Sequence, residues 1–247
     1  MTGDDFHYLA RVLRLQPGAL INARDPDGNR YSLKLEERAR QQLQFRVMTK
    51  EPAPASGRYD IELLVGLPKL QKMDVIVRTA AELGVDRLRP LVTEFSAVGV
   101  KDIGRLDERM NRWRKIARSG LEQSGRSRPL EIEPIAPLQR LLQAEAAGET
   151  TLKAVPNGGR LLSLVAWEKA DGQETLHELL GHGLFTQIRL LVGPEGGFSS
   201  AEVESLTARG FAPVRLGEHI LRTETAVVAF CAAVNVLLME KEIWNAR

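Results

Sequence analysis

Residues 188–197 read Ile-Arg-Leu-Leu-Val-Gly-Pro-Glu-Gly-Gly, an apolar run that stops in a glycine-rich turn. Residues 216–226 read Leu-Gly-Glu-His-Ile-Leu-Arg-Thr-Glu-Thr-Ala, a short apolar segment that runs into a helical pattern. In an open α/β sheet, ligands bind at the carboxyl ends of strands, and glycines let the backbone approach a ligand closely. Both segments are therefore predicted to be strand ends that lead into loops lining a pocket for a nucleotide-like cofactor.

The charges of the Gly193–Gly197 loop restrict its ligand. A phosphate-binding loop usually aims several N–H groups at the anion and has Lys or Arg nearby. Here Glu195 is the one charged side chain, and a Gly-Lys-Ser/Thr ending is missing. This pattern disfavours a nucleoside triphosphate and is more compatible with a neutral or cationic ligand. A purely structural turn between a strand and a helix is the alternative.

The polar residues before the last helix also have a structural interpretation. Thr223 is a candidate N-cap of that helix, and Glu224 would favour its N-terminal dipole. This interpretation leaves Arg222 unexplained, because Arg222 lies between an apolar strand and a buried helix.

Length and composition are those of a globular protein with one large or two modest domains: 247 residues, of which 43% are hydrophobic and 27% charged. No run of about 18 apolar residues is present, so no transmembrane span is expected. The N-terminus lacks the pattern of a secretory signal, and the single cysteine, Cys231, cannot form an internal disulfide. We therefore expect a cytoplasmic protein.

Charge is distributed unevenly along the chain. Residues 101–128 hold nine Lys or Arg against four acids, whereas residues 129–247 hold ten against fifteen. A concentrated basic segment in a nearly neutral protein indicates a polyanionic partner such as RNA. The alternative is a solvated helix face with ion pairs.

The first 52 residues are predicted to form a small β-barrel domain with one helix. Turn signals separate short apolar runs, which predict a helix at His7–Leu15 and strands at Ala19–Ala23, Tyr31–Leu35 and Gln44–Met48. Residues 53–58, rich in Pro, Ala and Gly, are the predicted linker to a second domain at residues 59–247.

The second domain alternates between strand and helix patterns, which predicts the α/β class with a mostly parallel sheet. A helix at Thr225–Trp244 is apolar on nearly every face, and a dimer interface would cover its second side. The other predicted strands are Tyr59–Val65, Arg87–Val92, Thr151–Val155, Ile188–Val192 and Val214–Leu216, with Leu161–Trp167 ambiguous. The other predicted helices are 69–83, 105–123 and one that a Ser199-to-Glu202 capping box opens.

Motifs in five places are spread over nearly the whole chain. They are Val192-Gly-Pro-Glu-Gly-Gly-Phe-Ser199, Leu216-Gly-Glu-His-Ile-Leu-Arg-Thr-Glu-Thr-Ala226, Ala81-Glu-Leu-Gly-Val85, Glu122-Gln-Ser-Gly-Arg126 and Tyr8-Leu-Ala-Arg-Val-Leu-Arg14. In sequence and in order these motifs resemble the SPOUT superfamily of knotted methyltransferases, and within it the RsmE family, which methylates N3 of a uridine in 16S ribosomal RNA.

The resemblance implies a fold in which a knotted SPOUT methyltransferase domain follows a small PUA-like β-barrel. Family members usually begin with an extra strand before the segment at His7–Arg14, so either the barrel lacks one strand or the given sequence begins after it. The resemblance further implies a homodimer formed through the knot region. Phe95 stands where the family commonly has arginine, and Val77-Arg78 stands where Gln-Lys is common.

The implied cofactor is S-adenosyl-L-methionine, bound by three loops inside the knot. An acidic loop suits its cationic sulfonium, and apolar side chains can pack on its adenine ring. The implied cofactor-binding residues are Val155, Pro156, Leu191, Val192, Gly193, Pro194, Glu195, Gly196, Gly197, Leu216, Gly217, Ile220, Leu221, Arg222, Thr223 and Thr225.

The implied reaction is direct methyl transfer to N3, which must lose a proton before it can attack. Arg222 is a candidate to stabilise charge on the uracil oxygens, with a structural ion pair as the alternative. Glu195 and Glu224 are candidate bases, with loop organisation as the alternative. Candidate contacts to RNA phosphates are Arg11, Arg14, Lys69, Lys72, Arg118 and Arg126.

No metal site is expected, because His177 and His182 lack partner ligands. Two other functions remain open. One is a SPOUT methyltransferase that acts on another RNA position, such as a ribose 2′-hydroxyl. The other is a catalytically inactive RNA-binding factor in ribosome assembly. The implied partner of the N3-methyltransferase is the 16S RNA or the small ribosomal subunit.

Overall fold

The computed structural model describes residues 1–25, 29–52, 59–124, 128–147, 160–170, 174–183 and 185–245. These residues form two compact units, which divide near residue 56. The predicted linker at residues 53–58 and the predicted strand at Thr151–Val155 lie outside the described residues.

The N-terminal unit is a three-stranded antiparallel sheet with a short helical segment. Its strands are β1 (Leu20–Arg24), β2 (Arg30–Arg38) and β3 (Leu43–Glu51), in the order β1-β2-β3. Ala10, Leu35 and Leu43 form its small core. The three strands lie where the sequence predicts them, because turn residues separate each pair of apolar runs.

The helical segment differs from the prediction of one helix at His7–Leu15. Helix α1 (Gly3–His7) is followed by a π-helical turn at Tyr8–Val12, in which the Leu13 N–H donates to the Tyr8 carbonyl at 3.0 Å. Arg14 then takes a positive φ of 52°, which ends the helical path. Local side-chain periodicity does not distinguish a π turn from an α turn, so the sequence pattern missed it.

The C-terminal unit is built on a parallel sheet in the order β10-β8-β9-β4-β5-β6, with β7 also paired to β5. Its strands are β4 (Asp60–Gly66), β5 (Arg87–Val92), β6 (Glu131–Ile132), β7 (Ala136–Pro137), β8 (Arg160–Ala166), β9 (Phe185–Val192) and β10 (Phe211–Val214). Its α-helices are α2 (Leu70–Glu82), α3 (Asp107–Ser124), α4 (Leu138–Ala146), α5 (Leu176–Gly181), α6 (Ser200–Thr207) and α7 (Thr223–Asn245), and a 3-10 helix lies at Val100–Arg105.

Helices cover both faces of this sheet, which explains why its central strands are apolar throughout. Leu63 and Leu190 point to the face that packs on α2 and α7, whereas Leu64 and Leu191 point to the face under α4 and α6. The predicted mostly parallel α/β sheet is confirmed. Leu161–Trp167, ambiguous in the sequence, contains strand β8.

One predicted strand was misplaced and several elements were missed. Strand β10 lies at Phe211–Val214 instead of Val214–Leu216, because its register with β8 places the pairing three residues earlier. The capping box of α6 is confirmed, since Ser199 Oγ accepts from the Glu202 N–H at 3.3 Å and Glu202 accepts from the Ser199 N–H at 3.0 Å. The missed elements β6, β7, α4 and α5 are short.

A charge cluster is buried in the centre of the sheet. Glu62 on β4 pairs in register with Arg189 on β9, and their side chains meet at 3.0 Å with 2% and 0% exposure. Arg89 on β5 approaches the other oxygen of Glu62 at 3.3 Å. Burying these ions is costly, and the shared carboxylate offsets part of that cost.

Helix α7 packs one face on α2 and β9 and leaves another face uncovered. Val227, Phe230 and Val234 are fully buried, while Val228, Val236 and Met239 are at least 41% exposed. Within the described residues, one stretch, Thr223–Lys241, is long and apolar enough to span a membrane, with a mean hydropathy of 1.5. Its buried face belongs to the main core, as in the core helix of a globular domain.

Candidate functional site

A cavity of about 390 Å³ opens at the carboxyl ends of three neighbouring strands, β10, β8 and β9. Parallel strands end at the same edge of a sheet, so the segments that follow them converge. The walls are Ala166–Glu168 after β8, Val192–Phe198 at the end of β9, Arg215–Leu221 after β10, and Thr223 and Ala226 on α7.

The loop after β9 is held close to the sheet. A Cβ placed on Gly66, at the end of β4, would lie 2.8 Å from the Pro194 nitrogen, so only glycine permits this approach. Gly197 has a φ of +70°, and its N–H donates to the Pro194 carbonyl at 2.9 Å. Gly196 packs against Phe95, where an added Cβ would meet the Phe95 Cβ at 2.7 Å. The pocket wall is therefore a tight turn with little room for larger residues.

Glu195 connects this loop to the start of α2. Its carboxylate accepts hydrogen bonds from the Lys69 backbone N–H at 3.2 and 3.4 Å. The Lys72 ammonium lies 3.3 Å from Glu195 and 3.0 Å from Glu224, in the first turn of α7. One lysine therefore bridges carboxylates from two different segments around the pocket.

This ion cluster shifts the pKa of all three groups. The hydrogen bond from Lys72 to Glu224, followed by that to Glu195, raises the pKa of Lys72 against the effect of burial. Burial raises the pKa of Glu195 and Glu224, but backbone N–H donors and Lys72 outweigh it and lower both values. Carboxylates with a lowered pKa are weak proton acceptors, so these contacts favour loop organisation over a role as base.

The loop after β10 is held by its own arginine. The Arg215 guanidinium donates to the carbonyls of Gly217 at 3.1 Å and Glu218 at 3.4 Å. The Ala226 N–H donates to the Arg222 carbonyl at 2.8 Å, so Arg222 holds the N-cap position that the structural interpretation had given to Thr223. Thr223 is instead buried and lines the pocket.

Most of the cofactor residues expected from the resemblance line this cavity. They are Val192, Gly193, Pro194, Glu195, Gly196, Gly197, Leu216, Gly217, Ile220, Leu221 and Thr223. Leu191 lies outside the lining because strand alternation turns its side chain into the core beneath. Arg222 and Thr225 are exposed beside the lining. Val155 and Pro156 lie outside the described residues.

The segment Ala166–Glu168 lines the cavity, although the sequence predicted no role in the site for it. It follows β8, which lies beside β9 in the sheet, so assigning Leu161–Trp167 as a strand would have predicted it. Phe198, Arg215, Glu218, His219 and Ala226 also line the pocket, and none of them was proposed as a cofactor residue.

The candidate RNA contacts are mostly exposed cations. Arg11 and Arg14 are exposed in the N-terminal unit, and Lys69 and Arg118 are exposed in the C-terminal unit. Lys72 differs from them because two carboxylates already neutralise its charge. Arg126 lies outside the described residues.

The basic helix α3 has one buried and one cationic face. Trp113 and Met110 pack into the core, and the opposite face is exposed. The Arg112 guanidinium pairs with Asp74 at 2.8 Å, which partly supports the alternative of a solvated, ion-paired face. The exposed cations of this helix are Arg109, Arg112, Arg114, Lys115 and Arg118. In the described part of the chain, no cluster of three His, Cys, Asp or Glu side chains could hold a metal ion.

The chain matches two family profiles that define its class. Residues 55–235 match a family described as RNA methyltransferase domain, and residues 1–48 match one described as RNA methyltransferase PUA domain. The chain thus belongs to the class of RNA methyltransferases with a PUA-like N-terminal domain.

Individual relatives narrow this class. Ribosomal RNA small subunit methyltransferase E of a Synechocystis strain is 31% identical over 96% of this chain and 73% of its own. The Bacillus subtilis protein of that name is 26% identical over 95% and 88%. The crystal structure of the Neisseria gonorrhoeae protein of that name, bound to S-adenosylmethionine, superposes with a TM-score of 0.76 at 26% identity, over 95% of this chain and 90% of the other. This chain belongs to the ribosomal RNA small subunit methyltransferase E family.

Family membership confirms the recognition made from the five motifs. The predicted fold class is also confirmed in its main features, which are an RNA methyltransferase domain with a mostly parallel α/β sheet and a PUA-like domain before it. The antiparallel sheet β1-β2-β3 is the described part of that preceding domain.

Proposed function

We propose that this protein transfers a methyl group from S-adenosylmethionine to N3 of a uridine in the 16S RNA of the small ribosomal subunit. The observation that carries the proposal is the cavity at the ends of β8, β9 and β10, in a chain whose Neisseria relative was crystallised with this cofactor. The relatives from Synechocystis and Bacillus subtilis are named as methyltransferases of small-subunit ribosomal RNA, which supports the proposed substrate.

The composition of the cavity suits this cofactor. Leu216, Ile220 and Leu221 offer apolar surface for an adenine ring, and Ile220 is 85% exposed at the rim. Glu168, Glu195 and Glu218 place acidic groups along the lining. Acids are compatible with a sulfonium cation, whereas a triphosphate would require the opposite charge.

The bound cofactor would supply an electrophilic methyl group, and the chain must manage the proton of N3. Arg222 is exposed between Leu221 and Thr223, which both line the cavity. From this position its guanidinium can stabilise negative charge on the uracil oxygens as the N3 proton passes to solvent water. The target base must be unpaired or flipped, because N3 lies on the pairing edge.

RNA contacts are proposed on the exposed cations Arg11, Arg14, Lys69 and Arg118. A second copy of the chain is proposed to cover the exposed apolar side chains of α7, so that the protein is a homodimer. Neither a membrane nor a metal ion is part of the proposal. A ribosomal substrate places the protein in the cytoplasm.

Two measurements test the function. Titration calorimetry with S-adenosylmethionine is expected to show one site per chain, and absence of binding would leave the inactive RNA-binding factor. Methyl transfer is then measured on small subunits from a strain that lacks the modification, with nucleoside analysis of the product. N3-methyluridine is the expected product, whereas a ribose 2′-O-methyl group would contradict the proposal and favour the other methyltransferase.

A further inference from the structure

Lys72 occupies an electrostatically unfavourable position. It lies in the first turn of α2, where free N–H groups carry partial positive charge, and that turn contains no acidic residue. Its partners come from elsewhere in the chain, with Glu195 at 3.3 Å and Glu224 at 3.0 Å. A cation at this end of a helix calls for an explanation beyond the stability of the helix.

The two partners belong to two different walls of the cavity. Glu195 is the central residue of the Gly193–Gly197 loop. Glu224 is in the first turn of α7, directly after the wall formed by Arg215–Leu221. Lys72 and Glu224 are not among the residues that line the cavity. The lysine therefore lies outside the lining and joins one wall to the other through its two ion pairs.

We propose that Lys72 is a positioning residue for the cofactor: its ammonium holds Glu195 and Glu224 together and so fixes the spacing between the two loops that enclose the ligand. The inference rests on the proposed function, because the ligand in question is S-adenosylmethionine. Glu224 is then a second positioning residue, and its carboxylate does not take the N3 proton.

The physical effect is preorganisation of the pocket. Loops that are already fixed lose less conformational freedom when a ligand binds, which increases affinity. Without the ammonium, two carboxylates within about 4 Å of the same point would repel each other and separate the walls. The Lys69 N–H would still hold Glu195, so the loop itself would keep its fold.

A double-mutant cycle on Lys72 and Glu224 tests this inference, because neither side chain lines the cavity. The dissociation constant of S-adenosylmethionine is measured by calorimetry on the full chain without RNA. Lys72→Met is expected to raise it about tenfold, equivalent to about 1.4 kcal/mol. Adding Glu224→Gln to Lys72→Met is expected to lower this dissociation constant again by about threefold, because it removes the repulsion between the carboxylates of Glu195 and Glu224. Lys72→Arg should stay within about threefold of the wild type.

Enzyme kinetics separate positioning from catalysis. In Lys72→Met the KM for the cofactor should rise, while kcat at saturating cofactor and the KM for RNA stay within about twofold. Asp74→Asn is the matched control. Asp74 lies on the same helix as Lys72 but does not line the cavity, and the substitution removes its ion pair with Arg112 on α3. Its cofactor affinity should equal that of the wild type.

The outcomes distinguish the two proposals. If the wild type binds no S-adenosylmethionine, the proposed function fails and this inference falls with it. If the wild type binds and a folded Lys72→Met binds within twofold of it, only the role of Lys72 is overturned. Should Lys72→Met fail to fold, Glu224→Gln breaks the same ion pair from the other side, and unchanged affinity there would also overturn the inference.

Discussion

At the residue scale, the pocket depends on a few close approaches that tolerate no larger side chain. Gly66 is one of them, because Pro194 from the pocket loop Gly193–Gly197 lies against its backbone. The loop is therefore positioned both by sterics at β4 and by the ions at Lys72. Each constraint predicts a different response to mutation.

Gly66→Ala should displace the loop that contains Pro194. A Cβ at this position would lie 2.8 Å from a backbone nitrogen, which cannot move without the turn. We expect a loss of about 1–3 kcal/mol in the free energy of unfolding and weaker cofactor binding. Denaturant titration and calorimetry measure the two effects. Gly104→Ala, which meets no atom within 4 Å, is the control and should leave both unchanged.

The ion cluster should make stability depend on acid. Because the pKa values of Glu195 and Glu224 are lowered in the folded state, their contribution is present above the ordinary value of 4.5 and is lost as pH falls through the lower folded values. The raised pKa of Lys72 keeps its ammonium charged throughout this acid range. Melting temperatures of wild type and Glu224→Gln should therefore differ at pH 7, and the difference should shrink as pH falls below 4.5. A constant difference would contradict this assignment.

At the scale of secondary-structure elements, the strands carry the buried charges and α3 carries the exposed ones. Glu62 joins β4 to β9 and β5 through Arg189 and Arg89. Helix α3 instead presents its cations to solvent. The buried charges should therefore affect the free energy of unfolding, and the exposed cations of α3 should affect the binding of RNA.

Glu62→Ala should destabilise the sheet strongly. It removes the carboxylate that two guanidinium groups share and leaves their charge in the core. The expected loss in the free energy of unfolding is about 3–5 kcal/mol, measured by urea titration. Asp102→Asn breaks the exposed pair with Arg105 and should cost about 0.5 kcal/mol or less. Similar losses in the two variants would show that the buried pair has no special role.

The cationic face of α3 should contribute to RNA affinity through phosphate contacts. A plot of the logarithm of the RNA-binding constant against the logarithm of the salt concentration has a negative slope. Lys115→Met and Arg118→Met are each expected to reduce the magnitude of this slope by about one. Binding of a 16S RNA fragment at several salt concentrations measures this slope. Arg140→Met, on α4, removes an exposed cation elsewhere and serves as the control. An equal effect of all three variants would argue against a specific surface.

At the scale of the whole molecule, the uncovered face of α7 indicates a second copy. Val236 is 52% exposed on this apolar helix, and Val228 and Met239 are exposed on the same face. Exposed apolar side chains clustered in this way are typical of an interface. The proposed homodimer follows from this surface.

Val236→Lys should therefore shift the protein from dimer to monomer in sedimentation velocity experiments. A charge in a dimer interface must lose its hydration without gaining a partner. Val100→Lys, at a valine that is 53% exposed, is the control and should leave the sedimentation coefficient unchanged. A monomeric wild type would contradict the proposed homodimer directly.

Much of the fold was predictable because its signals are local. The strand in Ile188–Val192, the capping box at Ser199 and the helix that contains Thr225–Trp244 depend on apolar periodicity and on near neighbours in sequence. The π-helical turn at Tyr8–Val12 and the short strands were missed because their local patterns are ambiguous.

The sequence by itself determined the family and the two loops that line the pocket, since both reside in contiguous motifs at Gly193–Gly197 and Leu216–Ala226. Only the tertiary structure decided what joins them. Glu195 accepts from a backbone N–H that is 126 residues away in sequence, and Lys72 reaches across to the first turn of α7. The physical reason is that parallel strands bring their carboxyl ends to one edge, where residues with no local relation to each other come within ion-pair distance.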